Sequence, residues 1–265
     1  MRGKYDDPAL RAATREQWAA DNVRAIRWGE VKPLRPLLRR SRDLVAIDVG
    51  ANKGFWAKAL LNALGDAVAH VHMLDPSPEN YRELTRREDN LIFDPEDFSR
   101  LSTYRVAAGA AAGTARLYTN EDGSPLASLY RHETNGYPDG QLAELRLDDA
   151  FEAPMTTIDD FIAEHGLAQV DLMKIDVEGH EFAVLQGADA ALREGRIQVV
   201  SWEFGMHQVE SRHFFVDFHR YLTERGYELH RLIDGSPYRI ERYDYSLENF
   251  TDNFQFAARR IDLPG

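Results

Sequence analysis

The chain has 265 residues, of which 44 are acidic and 32 are lysine or arginine, so its formal net charge is −12. It contains no cysteine, which excludes a disulfide framework, a thiolate zinc site and a cysteine nucleophile. The length suits one α/β domain with an extension and allows a substantial core. Because the acidic balance repels phosphate backbones, we expect no nucleic-acid partner, and we interpret the basic stretch at residues 35–42 as a solvated helix end.

Membrane and export signals are absent from the sequence. No apolar run approaches the ~20 residues that a spanning helix needs. The N-terminus has no apolar segment of the kind found in secretion signals. We therefore expect a soluble, cytoplasmic protein without a membrane span, and homo-oligomerisation stays open.

The first 43 residues are interpreted as an N-terminal helical extension. Apolar side chains recur among charges over residues 10–40, and Pro33 and Pro36 end the segment. We expect this extension to pack beside the binding cleft, with Trp18 and Trp28 as candidates for its inner face. Residues 44–265 form the second predicted unit, a cofactor-binding domain.

Predicted strands and helices alternate from residue 44 onward. The predicted strands are 44–49, 69–74, 102–107, 114–119, 170–177, 197–204, 227–233 and 253–258. The predicted helices are 55–64, 77–87, 157–165, 181–193 and 213–225, and residues 120–150 are interpreted as a loop with some strand. This alternation predicts crossover connections and a mainly parallel sheet with helices on both faces. In such sheets, ligands bind outside the carboxyl ends of the strands.

A glycine-containing turn with the pattern G-x-N-x-G directly follows the first predicted strand. Gly50 and Gly54 permit a sharp turn and the close approach of a ligand, and the helix that follows directs its N-terminal amides at an anion. The pattern is not the G-x-G-x-x-G of a dinucleotide site, and Asp48 before it suits a ligand that carries an ammonium group or hydroxyls. The alternative is a tight turn without a ligand, with Asn52 in a left-handed conformation.

Asp75 follows the second predicted strand, 25 residues after Gly50. A carboxylate at this place can accept two hydrogen bonds from ribose hydroxyls. Within Asp75-Pro-Ser-Pro it can equally serve as a residue at a helix N-terminus. In combination with the glycine turn, the nucleoside interpretation is favoured.

Charged residues gather at the ends of the two strands that follow residue 170. Lys174, Asp176 and Glu178 are two residues apart and so share one side of a strand, where buried charges are costly unless they are paired or functional. Glu203 and His207 end the next strand at the same edge, and a histidine can act as a general base near neutral pH. The alternatives are a structural Lys–Asp pair, a Glu178 that stabilises a helix N-terminus and a His207 without a catalytic role.

Taken together, these motifs resemble the FkbM family of methyltransferases. The resemblance rests on Asp48-Val-Gly-Ala-Asn-Lys-Gly54, Asp75-Pro-Ser-Pro-Glu-Asn80, Thr157-Ile-Asp159 and Lys174-Ile-Asp-Val-Glu-Gly179, and it covers about residues 44–204. One departure is Asp75, where the family often has Glu. The resemblance implies a Rossmann-like class I methyltransferase fold with a seven-stranded, mainly parallel sheet whose last strand is antiparallel. It also implies S-adenosylmethionine as the cofactor and a hydroxyl as the usual methyl acceptor.

The motifs then assign expected roles to individual residues. The expected cofactor-binding residues are Asp48, Gly50, Asn52, Gly54, Asp75 and Ala107. The expected catalytic residues, one of which would take the proton of the acceptor, are Asp176, Glu178, Glu203 and His207. An acidic edge suits a hydroxyl-rich acceptor, so we expect O-methylation of a sugar, glycan or glycosylated small molecule. The acids could hold Mg²⁺, but they are not spaced as a dedicated cage, so no metal is expected.

Two other function classes remain as alternatives. An NAD-dependent nucleotide-sugar oxidoreductase or epimerase would carry G-x-G-x-x-G and a Tyr-x-x-x-Lys pair, and the sequence has neither. A catalytically inactive Rossmann-like binding protein would have no need to keep Gly50, Gly54, Asp75 and Asp176.

Overall fold

The computed structural model describes residues 20–120, 123–124, 127–130, 149–250 and 254–261. Trp18 and the side chain of Trp28 lie outside this description, so their expected packing stays a prediction. Among the described residues, no helix combines the length and apolar character needed to cross a membrane.

The secondary structure alternates as the sequence predicts. The helices are α1 (residues 20–26, continuing as a π-helical turn at Arg27–Val31 and a 3-10 turn at Lys32–Leu37), α2 (Phe55–Leu64), α3 (Pro78–Thr85), α4 (Ile158–Glu164), α5 (Glu181–Gln186), α6 (Asp189–Arg193), α7 (Gln208–Ser211) and α8 (Phe215–Thr223). The strands are β1 (Leu44–Val49), β2 (Val68–Leu74), β3 (Leu101–Tyr104), β4 (Ala107–Ala108), β5 (Gly113–Thr119), β6 (Asp149–Thr156), β7 (Val170–Ile175), β8 (Ile197–Phe204), β9 (Tyr227–Ile233), β10 (Ser236–Arg239) and β11 (Phe254–Arg260).

The main sheet has eight strands in the order β10-β9-β11-β8-β7-β1-β2-β3. Strands β3, β2, β1, β7 and β8 are parallel, and β11 is inserted antiparallel between β8 and β9. This confirms the α/β class and the antiparallel last strand, whereas the predicted strand number of seven was wrong by one. The additional strand is β10, which follows β9 through a two-residue hairpin turn. Asp234 and Gly235 both have positive φ in that turn, as a type I′ hairpin requires.

A second sheet of three strands, β4-β6-β5, lies outside the main one. The predicted third strand was therefore too long, because the main-sheet strand ends at Tyr104 and Ala107–Ala108 pairs with β6 instead. Strand β6 covers the end of the region interpreted as a loop. The predicted helix over 181–193 is divided at Gly187, where an added Cβ would lie 2.1 Å from the carbonyl oxygen of Gly109.

Alternate side chains along each strand enter two different cores. One face of the main sheet buries Ile47, Trp202 and Phe204 with residues of α4, α5 and α8. The other face packs against α2 and the helical segment of residues 20–37, which buries Val23, Val31, Leu34 and Leu37 there.

This second face also positions the charged residues. Ala46, Leu172 and Val199 lie in its core. Asp48 and Lys174 follow the first two of these at the next position on the same side of their strands. The functional candidates therefore lie where this face reaches the carboxyl ends of β1, β7 and β8, beside the N-terminal helical segment.

Candidate active site

A cleft of about 390 Å³ opens at the carboxyl ends of β1, β2 and β7. Its volume falls within the roughly 300–1,000 Å³ of small-molecule and cofactor sites. The predicted site residues that line it are Gly50, Asn52, Asp75, Ala107, Asp176 and Glu178. Asp48, Gly54, Glu203 and His207 are not part of its wall.

The glycine turn forms one end of this cleft. Gly50 has a φ of 79°, and a Cβ at this position would lie 1.8 Å from the carbonyl oxygen of Asp176. Asn52 has a φ of 48°, so the left-handed conformation considered from the sequence is present. Gly54 has a φ of 82°, and its added Cβ would meet the ring of Phe93 at 2.6 Å. Gly54 therefore serves the packing of the turn, while Gly50 and Asn52 face the cleft.

Asp75 fastens the glycine turn to the end of β2. Its carboxylate accepts hydrogen bonds from the backbone N–H of Asn52 (2.7 Å), the backbone N–H of Ser77 (3.0 Å) and the side-chain amide of Asn80 (3.1 Å). A carboxylate has about four acceptor sites, so about one remains for a ligand rather than the two expected from the sequence. Burial raises the pKa of Asp75 to about 6, against these three hydrogen bonds.

Lys174 lies between two carboxylates at the centre of the edge. Its ammonium nitrogen is 3.0 Å from Asp176 Oδ2 and 3.5 Å from Asp48 Oδ1. Burial opposes the charge of Lys174, but Asp176 and Asp48 outweigh this effect and raise the pKa of Lys174 above its ordinary value. Asp48 is fully buried and accepts no hydrogen bond from the described residues, and its burial raises its pKa. The structural Lys–Asp pair considered from the sequence is thus present.

The N-terminal helical segment contributes a further acid that the sequence analysis did not identify. Glu30 lines the cleft, and burial raises the pKa of its carboxyl to about 7 even though Lys174 favours the charged form. Asn22 and Ile26 line the cleft as well. Asn22, Ile26 and Glu30 follow one another at intervals of four residues, which places them on one helix face. This spacing is the feature of the sequence that could have indicated Glu30.

Glu178 occupies a strained turn between β7 and α5. Its φ is 53°, a conformation that costs a non-glycine residue of this kind about 1–3 kcal/mol unless its surroundings enforce it. The hydroxyl of Ser128 donates to the carbonyl oxygen of Glu178 at 2.7 Å. The buried carboxylate of Glu181 accepts from the backbone N–H groups of Val177 (3.0 Å) and Gly179 (3.2 Å). Ser128 and Glu181 were not identified from the sequence, because they act on the backbone of the turn.

His207 lies behind Glu178 as seen from the cleft. Its Nδ1 is 3.4 Å from Glu178 Oε2, the imidazole is buried, and its Nε2 has no hydrogen-bond partner among the described residues. Burial raises the pKa of Glu178 well above its usual range, with further contributions from Asp176, Glu203 and Glu181. The structure thus brings His207 to the predicted edge, but one layer away from the cleft.

Glu203 ends β8 next to the end of β7. Burial raises the pKa of Glu203 to about 9, and the charge of Asp176 adds to this shift. The acids of the edge are therefore close enough to influence one another's ionisation. Among the described residues, no group of three or more His, Cys, Asp or Glu side chains has a metal-binding arrangement.

The fold and the site together define a class of protein. A parallel sheet with an antiparallel strand inserted between β8 and β9, and a cleft at the ends of β1, β2 and β7, is a Rossmann-like class I methyltransferase fold. The family model described as methyltransferase FkbM domain matches residues 48–229. The chain belongs to this family.

Individual relatives agree with this assignment over part of their length. The 2-O-methyltransferase NoeI of Sinorhizobium fredii is 28% identical over 159 residues, which are 58% of this chain and 61% of NoeI. The AMB antimetabolite synthetase AmbE of Pseudomonas aeruginosa is 28% identical over 171 residues, covering 56% of this chain and 8% of AmbE. The chain therefore spans less than two thirds of either relative.

A solved structure shows the same fold. The crystal structure of methyltransferase FkbM from Methylobacillus flagellatus superimposes with a TM-score of 0.51 at 16% identity. The superposition covers 84% of this chain and 45% of that one.

Proposed function

We propose that the protein transfers a methyl group from S-adenosylmethionine to a hydroxyl of a sugar, glycan or glycosylated small molecule. The observation that carries this proposal is the shared cleft of the glycine turn, Asp75 and the acids that end β7. Membership of the FkbM methyltransferase domain family supports the reaction class, and the name of NoeI, a 2-O-methyltransferase, supports oxygen as the acceptor atom.

The residues present fit this cofactor. Gly50 lines the cleft with backbone alone, because a side chain there would collide with the carbonyl of Asp176. Asp75 keeps about one acceptor site for a ribose hydroxyl. Asp48, which the sequence places near the ammonium group, lies one layer behind the cleft and acts there through Lys174. When bound, S-adenosylmethionine supplies an electrophilic methyl group on a positively charged sulfur.

Apolar side chains offer a surface for the adenine ring at the other end of the cleft. Ala107 lines the cleft where the chain leaves β3, and Leu117 and Phe151 of the second sheet continue this surface. A flat aromatic base buries its faces favourably against such side chains. Ala107 therefore keeps its expected role near the adenine.

The acceptor side of the cleft is acidic and partly open. The side chain of Asp176 is 34% exposed, and Glu178 lines the cleft beside it. Carboxylates can accept hydrogen bonds from several hydroxyl groups and so select the one that faces the methyl group.

Ligand binding separates the proposed function from its main alternative. In isothermal titration calorimetry, we expect S-adenosylmethionine and its demethylated product S-adenosylhomocysteine to bind at one site per chain, and NAD not to bind. A protein that binds NAD and neither of the other two would be an oxidoreductase, and the proposed function would be wrong.

A further inference from the structure

The four catalytic candidates are not equivalent in the structure. Asp176 and Glu178 line the cleft, whereas Glu203 and His207 do not. Asp176 is paired with the ammonium group of Lys174 at 3.0 Å, so a cation already occupies its carboxylate. Among the residues that the structure describes, no lysine or arginine forms an ion pair with Glu178; its neighbour is the imidazole of His207 at 3.4 Å.

The backbone of Glu178 is strained, and other residues enforce its conformation. A left-handed glutamate persists only where the surroundings enforce the conformation. The hydroxyl of Ser128 and the carboxylate of Glu181 do so, from two different parts of the fold. Strain of this kind concentrates at active sites, where it aims a side chain at a fixed place.

His207 supports Glu178 from the buried side. The imidazole is 3% exposed, and its Nδ1 faces the Glu178 carboxylate, while its Nε2 meets no partner among the described residues. An imidazole buried in this way influences the cleft through the carboxylate in front of it.

We infer that Glu178 accepts the proton of the acceptor hydroxyl and that His207 is the positioning residue behind it. This inference rests on the proposed function. The O–H bond of the acceptor breaks and its proton joins a Glu178 carboxylate oxygen, while the acceptor oxygen forms a bond to the methyl carbon. The carbon–sulfur bond breaks with its electron pair going to sulfur, so the positive charge of the sulfur and the negative charge of Glu178 disappear together.

The charges around Glu178 make its protonation depend on the charge of the bound ligand. Asp176, Glu203 and Glu181 disfavour the carboxylate form, and Lys174 favours it. A positive charge in the cleft lowers the pKa of a nearby carboxyl. S-adenosylmethionine carries that charge on sulfur, and S-adenosylhomocysteine does not, although the two ligands are otherwise alike.

Calorimetry in two buffers of different ionisation enthalpy measures the protons released when each ligand binds. At neutral pH, we expect S-adenosylmethionine to release more protons than S-adenosylhomocysteine from the wild-type protein. The difference should be lost in Glu178→Gln and retained in Glu203→Gln. Asparagine adopts the left-handed conformation readily, so Glu178→Asn provides a second neutral variant if Glu178→Gln does not fold.

The role of His207 has its own readout in the same experiment. The pH of maximal proton release should move upward in His207→Phe. In His207→Gln, which keeps a donor, it should lie closer to the wild-type value. A merely structural role would leave this pH unchanged in both variants, and that result would contradict the assignment of His207.

The outcomes also separate the inference from the proposed function. Equal proton release by the two ligands in the wild-type protein, or a difference that persists in the neutral Glu178 variants, overturns the inference and leaves the proposed function standing. A difference that disappears in Glu203→Gln and persists in Glu178→Gln assigns the proton to Glu203 and also overturns it. Failure of both ligands to bind overturns the proposed function itself, and the inference with it.

Discussion

The glycine turn has no space for a side chain at Gly50. Gly50 combines a positive φ with a Cβ direction that points at the carbonyl oxygen of Asp176, 1.8 Å away. Both features disfavour any side chain at this position. The backbone of the turn, and not a side chain, is therefore the surface that a cofactor would meet.

Substitution of Gly50 tests this interpretation of the turn. Gly50→Ala should lower the free energy of unfolding by more than 1 kcal/mol, on the order of the cost of enforced backbone strain, and should weaken the binding of S-adenosylmethionine. Gly113→Ala is the matched control, since an added Cβ there meets nothing within 4 Å. Urea unfolding and calorimetry of both variants make the comparison. Equal stability and equal affinity in the two variants would contradict the account of the turn.

The carboxylate of Asp75 holds the glycine turn, and we expect it to bind the ligand as well. Asp75→Ala should weaken binding of S-adenosylmethionine by ~1–3 kcal/mol, the scale of a lost charge-assisted hydrogen bond. The variant should also loosen the glycine turn, because Asn52 and Asn80 lose their acceptor. Asp75→Asn keeps the shape of the side chain and is the control for packing. An affinity that stays at the wild-type value in Asp75→Ala, measured by calorimetry, would show that Asp75 does not contact the ligand.

Among the larger elements, the small β4-β6-β5 sheet has the closest connection to the site. It contributes Leu117 and Phe151 to the wall of the cleft, and the segment at residues 127–130 reaches across to the turn that carries Glu178. Tyr130 contacts this turn too, through a 3.1 Å hydrogen bond between its hydroxyl and His180 Nδ1. The second sheet and the segment at residues 127–130 therefore support the turn that carries Glu178 and also form a wall of the cleft.

Removal of the Ser128 hydroxyl group tests this support of the turn. Ser128 is fully buried, so Ser128→Ala leaves the carbonyl oxygen of Glu178 without its donor and should cost about 1–3 kcal/mol of stability. The affinity for S-adenosylmethionine should fall in the same variant. Ser99→Ala is the matched control, since Ser99 donates to the carbonyl oxygen of Glu96 at an exposed site. The two variants should differ in thermal unfolding. A Ser128→Ala protein as stable as Ser99→Ala would show that Ser128 does not stabilise the turn that carries Glu178.

The sequence predicts the elements of the main sheet better than those outside it. Strands β1, β8 and β9 begin and end at the predicted residues, because apolar side chains recur along each strand and glycine or polar residues bound it. Strand β6 is not visible in this way, since it mixes acids and a proline and its partners β4 and β5 are remote in the chain. The hairpin that adds β10 was signalled by Asp234-Gly235, a pair typical of type I′ turns.

The same distinction explains which site residues could be predicted. Residues at the ends of parallel strands meet at one edge by topology alone, so Gly50, Asp75 and Asp176 were accessible to sequence reasoning. Glu30 and Ser128 reach the site from other elements, and their contribution depends on tertiary packing. His207 follows the end of β8, but its depth behind Glu178 depends on the path of the chain after that strand.

On the scale of the whole molecule, ionisable groups buried on the two faces of the sheet respond to pH in opposite directions. Burial raises the pKa values of Glu30 and Asp75, to about 7 and about 6, so these groups bind protons more tightly in the folded protein. Burial lowers the pKa of His72 to about 4, and the nearby His70 and His165 add to this effect. His72 therefore binds its proton more tightly in the unfolded chain.

Acidification should accordingly remove the contribution of His72 to stability. This contribution is present above the unfolded pKa of 6.5 and is lost as the pH falls toward about 4, with an upper limit of about 3 kcal/mol by linkage. His72→Gln should therefore lose less stability than the wild-type protein between pH 6.5 and pH 4, and the effects of Glu30 and Asp75 cancel in this comparison. Urea unfolding across this range gives the two profiles. Parallel profiles would show that His72 ionises equally in both states.

Methyl transfer itself is the most direct test of the proposed activity. The protein would be incubated with S-adenosylmethionine labelled with ¹³C at the methyl group and a panel of sugars, nucleotide sugars and lipid extracts, and the products examined by NMR. We expect the label to appear on an oxygen of a carbohydrate, together with S-adenosylhomocysteine, and Glu178→Gln to slow the transfer by ~10²–10⁴-fold. Label on nitrogen or carbon, or no transfer to any member of the panel, would contradict the proposed function.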